Sequence, residues 1–165
     1  MIGNDVIDIA LTKIESNWKR RGFLDKIFTE SEKLLISESN NPEILVWRFW
    51  SQKEAAYKIV NRQTKIRIYN PLQFECSFTA TVNGMHSGKV VFKETIYHTL
   101  TEINSEFIHT IAALGEDCLQ QIYEIQPDEN IMKEAGIPLF TNPDNGQVRP
   151  ASISHHGRFR KAITF

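Results

Sequence analysis

The chain has 165 residues, 41% of them hydrophobic and 24% charged, with 19 Lys and Arg against 20 Asp and Glu and a formal net charge of −1. That length supports one domain with a sizeable core, and the balanced charge excludes a global electrostatic case for nucleic acid or an anionic membrane as the main partner. The opening MIGNDVIDIA has no basic leader, and no later segment approaches the roughly 18 consecutive apolar residues of a membrane span, so a cytoplasmic protein is expected.

In chain order, MIGNDVIDI alternates with period 2 and predicts a strand, with Asp5 on the same face as Gly3, Ile7 and Ile9. A polar, basic helical segment follows through about Lys26 and contains the run Lys19-Arg20-Arg21 before Gly22. Thr29 and Glu32 in FTESEKLL have the spacing of a capping box and predict a short helix. Asn41-Pro42-Glu43 then supplies an N-cap, a first-turn proline and a first-turn acid for a long helix from about Glu43 to Asn61. From Thr64 to about Glu124 the pattern turns to strands: IRIY, FECSFTATV, an Asn83-Gly84 turn, KVVFKETIYHTL and FIHTIAAL, together an antiparallel sheet. DENIMKEAG reads as a short helix ended by Gly136, residues 138 to 150 as loop with a turn cluster at Asn142 to Gly146, and ASISHHGRFRKAITF as strand, turn at His156-Gly157, strand. The fold class expected is α+β, an antiparallel sheet packed against the long helix. Cys76 and Cys118 lack CxxC spacing and read as structural thiols, as His86, His98 and His109 read as structural histidines.

Two acids sit where hydrophobes belong. Asp5 lies among isoleucines, and Glu54 shares a helical stripe with Trp47, Trp50, Tyr57 and Lys58. An unpaired buried carboxylate is costly and tends to go neutral. A divalent cation would hold both as anions, and a hard oxygen donor set of only one or two carboxylates suits magnesium completed by water and phosphate oxygens. Lys58, one turn beyond Glu54, presents an ammonium suited to phosphate. Near the C-terminus, Ser152, Ser154, His155, His156 and Arg158 offer hydroxyl, imidazole and guanidinium donors to a polyanionic ligand, His155 being the preferred histidine.

The segments GNDVIDI, FTESEKL, WSQKEAAYK and SISHHGRF, in that order, resemble the 4′-phosphopantetheinyl transferase superfamily. The order matches the short holo-acyl-carrier-protein synthases, while W-x-x-K-E-A-x-x-K and SxSHxGR resemble the longer, surfactin-synthetase-type members. The resemblance implies a 4′-phosphopantetheinyl transferase-like fold, and transfer of phosphopantetheine from coenzyme A to the serine of an acyl or peptidyl carrier protein in fatty-acid, polyketide or related synthesis. It implies Asp5 and Glu54 as magnesium ligands, with Glu54, Lys58 and Asp5 as the catalytic set. It further places Lys58 at the pyrophosphate and His155 at a coenzyme A phosphate, with Lys53 as the lysine before the metal-binding glutamate. Ser154 and Arg158 join the coenzyme A set, and Arg20, Arg21 and Lys26 would dock the acidic carrier. The longer members have a second acid where this chain has Ile7, so water is expected in that coordination position. Self-association, as in the trimeric short members, is expected too. A magnesium-dependent phosphodiesterase or nuclease, and a non-catalytic carrier-binding relative, are the rival readings.

Overall fold

The computed structural model describes residues 1–65, 67–126 and 129–165. In chain order the elements are β1 (Ile2–Asp8), α1 (Ile9–Glu15), α2 (Phe23–Ile27), α3 (Glu30–Glu38) and α4 (Pro42–Thr64), followed by β2 (Phe74–Val82), β3 (Met85–Phe92), β4 (Thr95–Ile103), β5 (Phe107–Ala113) and α5 (Glu116–Leu119). Six short strands close the chain: β6 (Tyr123–Ile125), β7 (Ile131–Glu134), β8 (Ile137–Thr141), β9 (Val148–Pro150), β10 (Ser152–His156) and β11 (Phe159–Thr164). The expected α+β class is observed. A five-stranded antiparallel sheet has the order β1-β5-β4-β3-β2, and two three-stranded sheets have the orders β10-β11-β6 and β7-β8-β9.

Local signals acted where they were read. Thr29 and Glu32 form a reciprocal capping box at the start of α3, and the Asn41 side chain accepts from the Ile44 amide with Pro42 in the first turn of α4. Asn83 and Gly84 both take positive φ, 52° and 76°, as a tight hairpin turn between β2 and β3 requires. Helix α4 lies across β1 and β5 and buries Val46, Phe49, Ala55, Ala56 and Ile59 against Ile7, Ile108 and Ala112. Its approach to β1 is close enough that a Cβ at Gly3 would overlap the Ala55 carbonyl, and the Ser51 hydroxyl donates to the Asp5 carbonyl at 3.3 Å. This crossing brings Glu54 to the first strand.

Four expectations need correction. The basic segment up to Lys26 is two short helices, α1 and α2: the backbone turns extended at Ser16, and Gly22 takes a left-handed φ of 76° just before α2. The strand expected at IRIY does not form over residues 67–69, and Ile66 lies outside the described residues. The helix expected in DENIMKEAG is instead the β7–β8 hairpin, Asp128 lying outside the described residues: Ala135 and Gly136 both have positive φ, 48° and 80°, so Gly136 serves a two-residue turn and not a helix end. The segment 138–150, expected as loop, contributes β8 and β9 around the turn at 142–146, because β7 offers an edge with which β8 can pair. Among the described residues no helix is long and apolar enough to cross a membrane.

Candidate active site

The β10 strand runs beside the free edge of β1 and is joined to it by side chains. The amides of Asn4, Val6 and Asp8 donate to Ser152 Oγ (3.1 Å), Ser154 Oγ (2.9 Å) and His156 Nδ1 (2.9 Å). Every second residue of one strand therefore satisfies every second amide of the other, and the edge of β1 is closed without a backbone ladder. This register points Ser154 at the site. Its hydroxyl, besides accepting from Val6, donates to Asp5 Oδ1 at 3.1 Å.

Asp5, Glu54 and Lys58 meet at this seam. Lys58 Nζ donates to the carbonyls of Asn4 (2.5 Å) and Ile153 (3.3 Å) and stands 3.8 Å from Asp5 Oδ1. Burial raises the pKa of Asp5, an effect opposed by Lys58 and by hydrogen bonds from Ser154 and Ser51. Burial, and next the Asp5 charge, push Glu54 up to about 7, with Lys58 opposing. Burial lowers the pKa of Lys58 while the two carboxylates hold it up. Two carboxyls and one ammonium thus share a poorly hydrated place, where each perturbs the others. Among the described residues no group of three or more His, Cys, Asp and Glu side chains could jointly hold a metal ion.

A cavity of about 350 Å³ opens at Asp5, walled by Phe23, Ile27, Trp47 and Trp50 on one side and by His155 and His156 on the other. A second groove of about 330 Å³ runs from Lys58 past Arg62 and Lys133 and also touches His155, which is exposed between the two.

The remaining predicted residues lie elsewhere. Lys53 is fully buried, and its ammonium donates to Glu32 Oε2 (2.7 Å), the Ile27 carbonyl (2.9 Å) and the Pro71 carbonyl (3.0 Å). All three of its donors are used, so its assignment to coenzyme A is corrected to a structural one; neighbours on a helix point about 100° apart, which sends Lys53 into the core while Glu54 faces the site. Arg158 donates through Nε and Nη2 to the two oxygens of Asp8, at 2.9 and 3.0 Å, and lines neither opening, while Asp8 Oδ1 caps α1 by accepting from Ala10 and Leu11. These bonds hold the Asp8 carboxyl well below the usual carboxylate range. Of the docking candidates, Arg20 reaches the cavity and lies over the Phe23 ring, its guanidinium 5.3 Å from the centroid, whereas Arg21 and Lys26 are exposed and line neither opening.

The sequence reading prefers His155 to His156, yet His156 accepts from the Asp8 amide, lines the cavity and stands 3.6 Å from Glu15. Strand alternation carries the signal, since 152, 154 and 156 share one face and His155 falls on the other.

The sequence model of the 4′-phosphopantetheinyl transferase superfamily matches residues 1–112. The chain belongs to that superfamily. As a phosphopantetheinyl transferase it carries Asp5, Glu54 and Lys58 inside the matched span, while the β10 strand that closes the site lies beyond it. No curated protein matches the chain. The solved structures similar to it include two holo-[acyl-carrier-protein] synthases. One is the holo-[acyl-carrier-protein] synthase of Helicobacter pylori in complex with coenzyme A, at 14% identity over 70% of this chain and 100% of that one, with a TM-score of 0.49. The other is the synthase of Thermotoga maritima, at 17% identity over 78% of each chain and the same TM-score of 0.49.

Proposed function

We propose that this phosphopantetheinyl transferase moves the 4′-phosphopantetheine of coenzyme A onto the serine of an apo carrier protein at the Asp5, Glu54 and Lys58 site, and that it needs magnesium. The observation that carries the reading is the coupling of the two carboxylates, in which burial and the charge of Asp5 push Glu54 up to about 7. A divalent cation fits this donor set, two oxygen ligands beside a cavity with Ile7 in place of a third, because magnesium commonly takes one or two carboxylates and completes its shell with water and phosphate oxygens. Bound by Asp5 and Glu54, magnesium would supply Lewis-acid neutralisation of the diphosphate charge.

The chain's own groups account for the rest. The carrier hydroxyl oxygen forms the new bond to the β-phosphorus of coenzyme A, the bridging P–O bond breaks, and adenosine 3′,5′-bisphosphate leaves with that oxygen. Glu54, whose carboxyl is held up to about 7 in the cation-free site, or a water beside it, would take the hydroxyl proton. Lys58, oriented by the Asn4 and Ile153 carbonyls, faces the transferring phosphate as a fixed positive charge. The aromatic wall of Phe23, Trp47 and Trp50 excludes water from one side, and His155 stands where the cavity meets the basic groove of Arg62 and Lys133, a position suited to a second phosphate.

Incubation with coenzyme A, magnesium and a panel of apo carrier proteins, read by intact mass, tests this. A phosphopantetheine mass gain on the carrier serine is expected. Cleavage of a phosphodiester with no gain on any carrier would replace transfer with hydrolysis.

A further inference from the structure

On α4, away from the carboxylate site, Arg48 is only 7% exposed. Its Nη2 donates to the Ser87 carbonyl at 3.3 Å, its guanidinium carbon lies 4.3 Å from the centroid of the Phe78 ring, and its Nε is buried with no acceptor. Among the described residues no carboxylate forms an ion pair with it, and burial pushes its pKa down to about 10 with only the Cys76 thiol opposing. A buried cation without an acid is a rare and costly arrangement.

Arg48 is the charged residue of a groove of about 380 Å³ lined by Leu35, Ile44, Leu45, Phe78 and Ile103, with His86 at its edge. The groove shares no lining residue with the cavity at Asp5. Its shape depends on a bulge in β2: Phe78 pairs with Gly88 and Ala80 with Ser87, so Thr79 is the extra residue. Bulges re-aim side chains beside binding sites, and here Phe78 is stacked on Phe49 at 5.1 Å while its ring covers the guanidinium. Phe78 nevertheless stays 42% exposed.

The polar inventory of the groove narrows what it would take. Ser39 Oγ and Asn41 Oδ1 accept from the amides of Asn41 and Ile44. The His86 ring is bonded to Thr81 Oγ1, and burial together with the Arg48 charge lowers its pKa, which disfavours a second positive charge. What remains is an apolar channel with a single cationic anchor.

We propose that this groove binds a small apolar carboxylate, a medium-chain fatty acid anion by chemical class, with its head on the Arg48 guanidinium and its chain along Phe78, Leu35 and Ile103. The carboxylate gives the buried cation its missing partner through charge-assisted hydrogen bonds, and the chain covers the exposed ring. The site is separate from the transfer chemistry, so its test stands whether or not transfer is observed.

Sodium decanoate, below its micelle concentration, is titrated into the protein by calorimetry, with decanol as the uncharged probe of the same chain length. One saturable site per chain is expected for decanoate, with Arg48→Met and decanol each weakening binding by about tenfold or more. Equal binding to the Arg48→Met variant, equal binding of decanol, or no saturable binding of decanoate overturns the proposal. Circular dichroism reports whether Arg48→Met folds. Should it not, Phe78→Ala, at a half-exposed position, gives the deciding titration: weakened decanoate binding supports the site, and unchanged binding removes it.

Discussion

Lys53 and Lys58 lie on the same helix with nearby carboxylates, yet they have opposite fates. Lys53 meets Glu32 at 2.7 Å with both side chains fully buried, and Glu32 also accepts from the amides of Thr29 (2.8 Å) and Cys76 (2.7 Å). Every donor of that ammonium is used, and the pair ties α3, the end of α2, the turn before β2 and β2 itself to α4. Lys58 stands 3.8 Å from Asp5 with a side chain 28% exposed, and Glu54 close by stays partly protonated near neutral pH. A saturated ion pair has no capacity left for a ligand and holds structure; an unsaturated one retains the capacity for a cation, a phosphate or a proton.

Four experiments would break or sharpen that contrast. Glu54→Gln removes the proton acceptor and one cation ligand, so the rate of carrier modification should fall by about 10²- to 10⁴-fold, while chemical denaturation shows a fold no less stable than the parent. Full activity in this variant would remove Glu54 from the chemistry. Lys53→Met strands the Glu32 carboxylate in the core and should lower unfolding free energy by about 3–5 kcal/mol in urea; a loss confined to coenzyme A affinity at unchanged stability would reverse the two lysines' roles.

The third concerns pH. Glu54 has a folded pKa near 7 against an ordinary 4.5, so the folded state holds a proton that the unfolded chain has released. Its contribution to stability is complete below about pH 4.5 and fades as the pH rises through 7, about 2–3 kcal/mol in cation-free buffer. Thermal scans with a chelator should show this decline in the parent and not in Glu54→Gln, and magnesium added above pH 7 should raise the parent's Tm alone. Smallest of the four, Ser154→Ala leaves the Val6 amide without its acceptor and Asp5 with one hydrogen-bond donor fewer, and should cost about 1–3 kcal/mol by urea unfolding. Unchanged stability there would mean that the seam between β1 and β10 does not depend on its side-chain bonds.

Much of the site was legible before any coordinates. Asp5 and Glu54 stood out as acids on apolar faces, and the crossing of α4 over β1 brings their charges close enough to act on each other. Lys53 misled because a motif fixes which residues recur and not which way each one turns: it rotates into the core. The β7–β8 hairpin was misread because Glu134-Ala135-Gly136 resembles a helix end as closely as a hairpin turn, and only the pairing of Ile131 with Phe140 decides between them.

Alone, the amino-acid order settled what depends on nearest neighbours: the capping box at Thr29, the Asn-Pro start of α4, the Asn-Gly turn and the strand at β1. Tertiary structure decided which charges would be satisfied. Glu32 lies 21 residues from Lys53, and Asp8 lies 150 from Arg158. No local rule spans those separations, because the free energy of a buried charge is set by the atoms that folding brings around it.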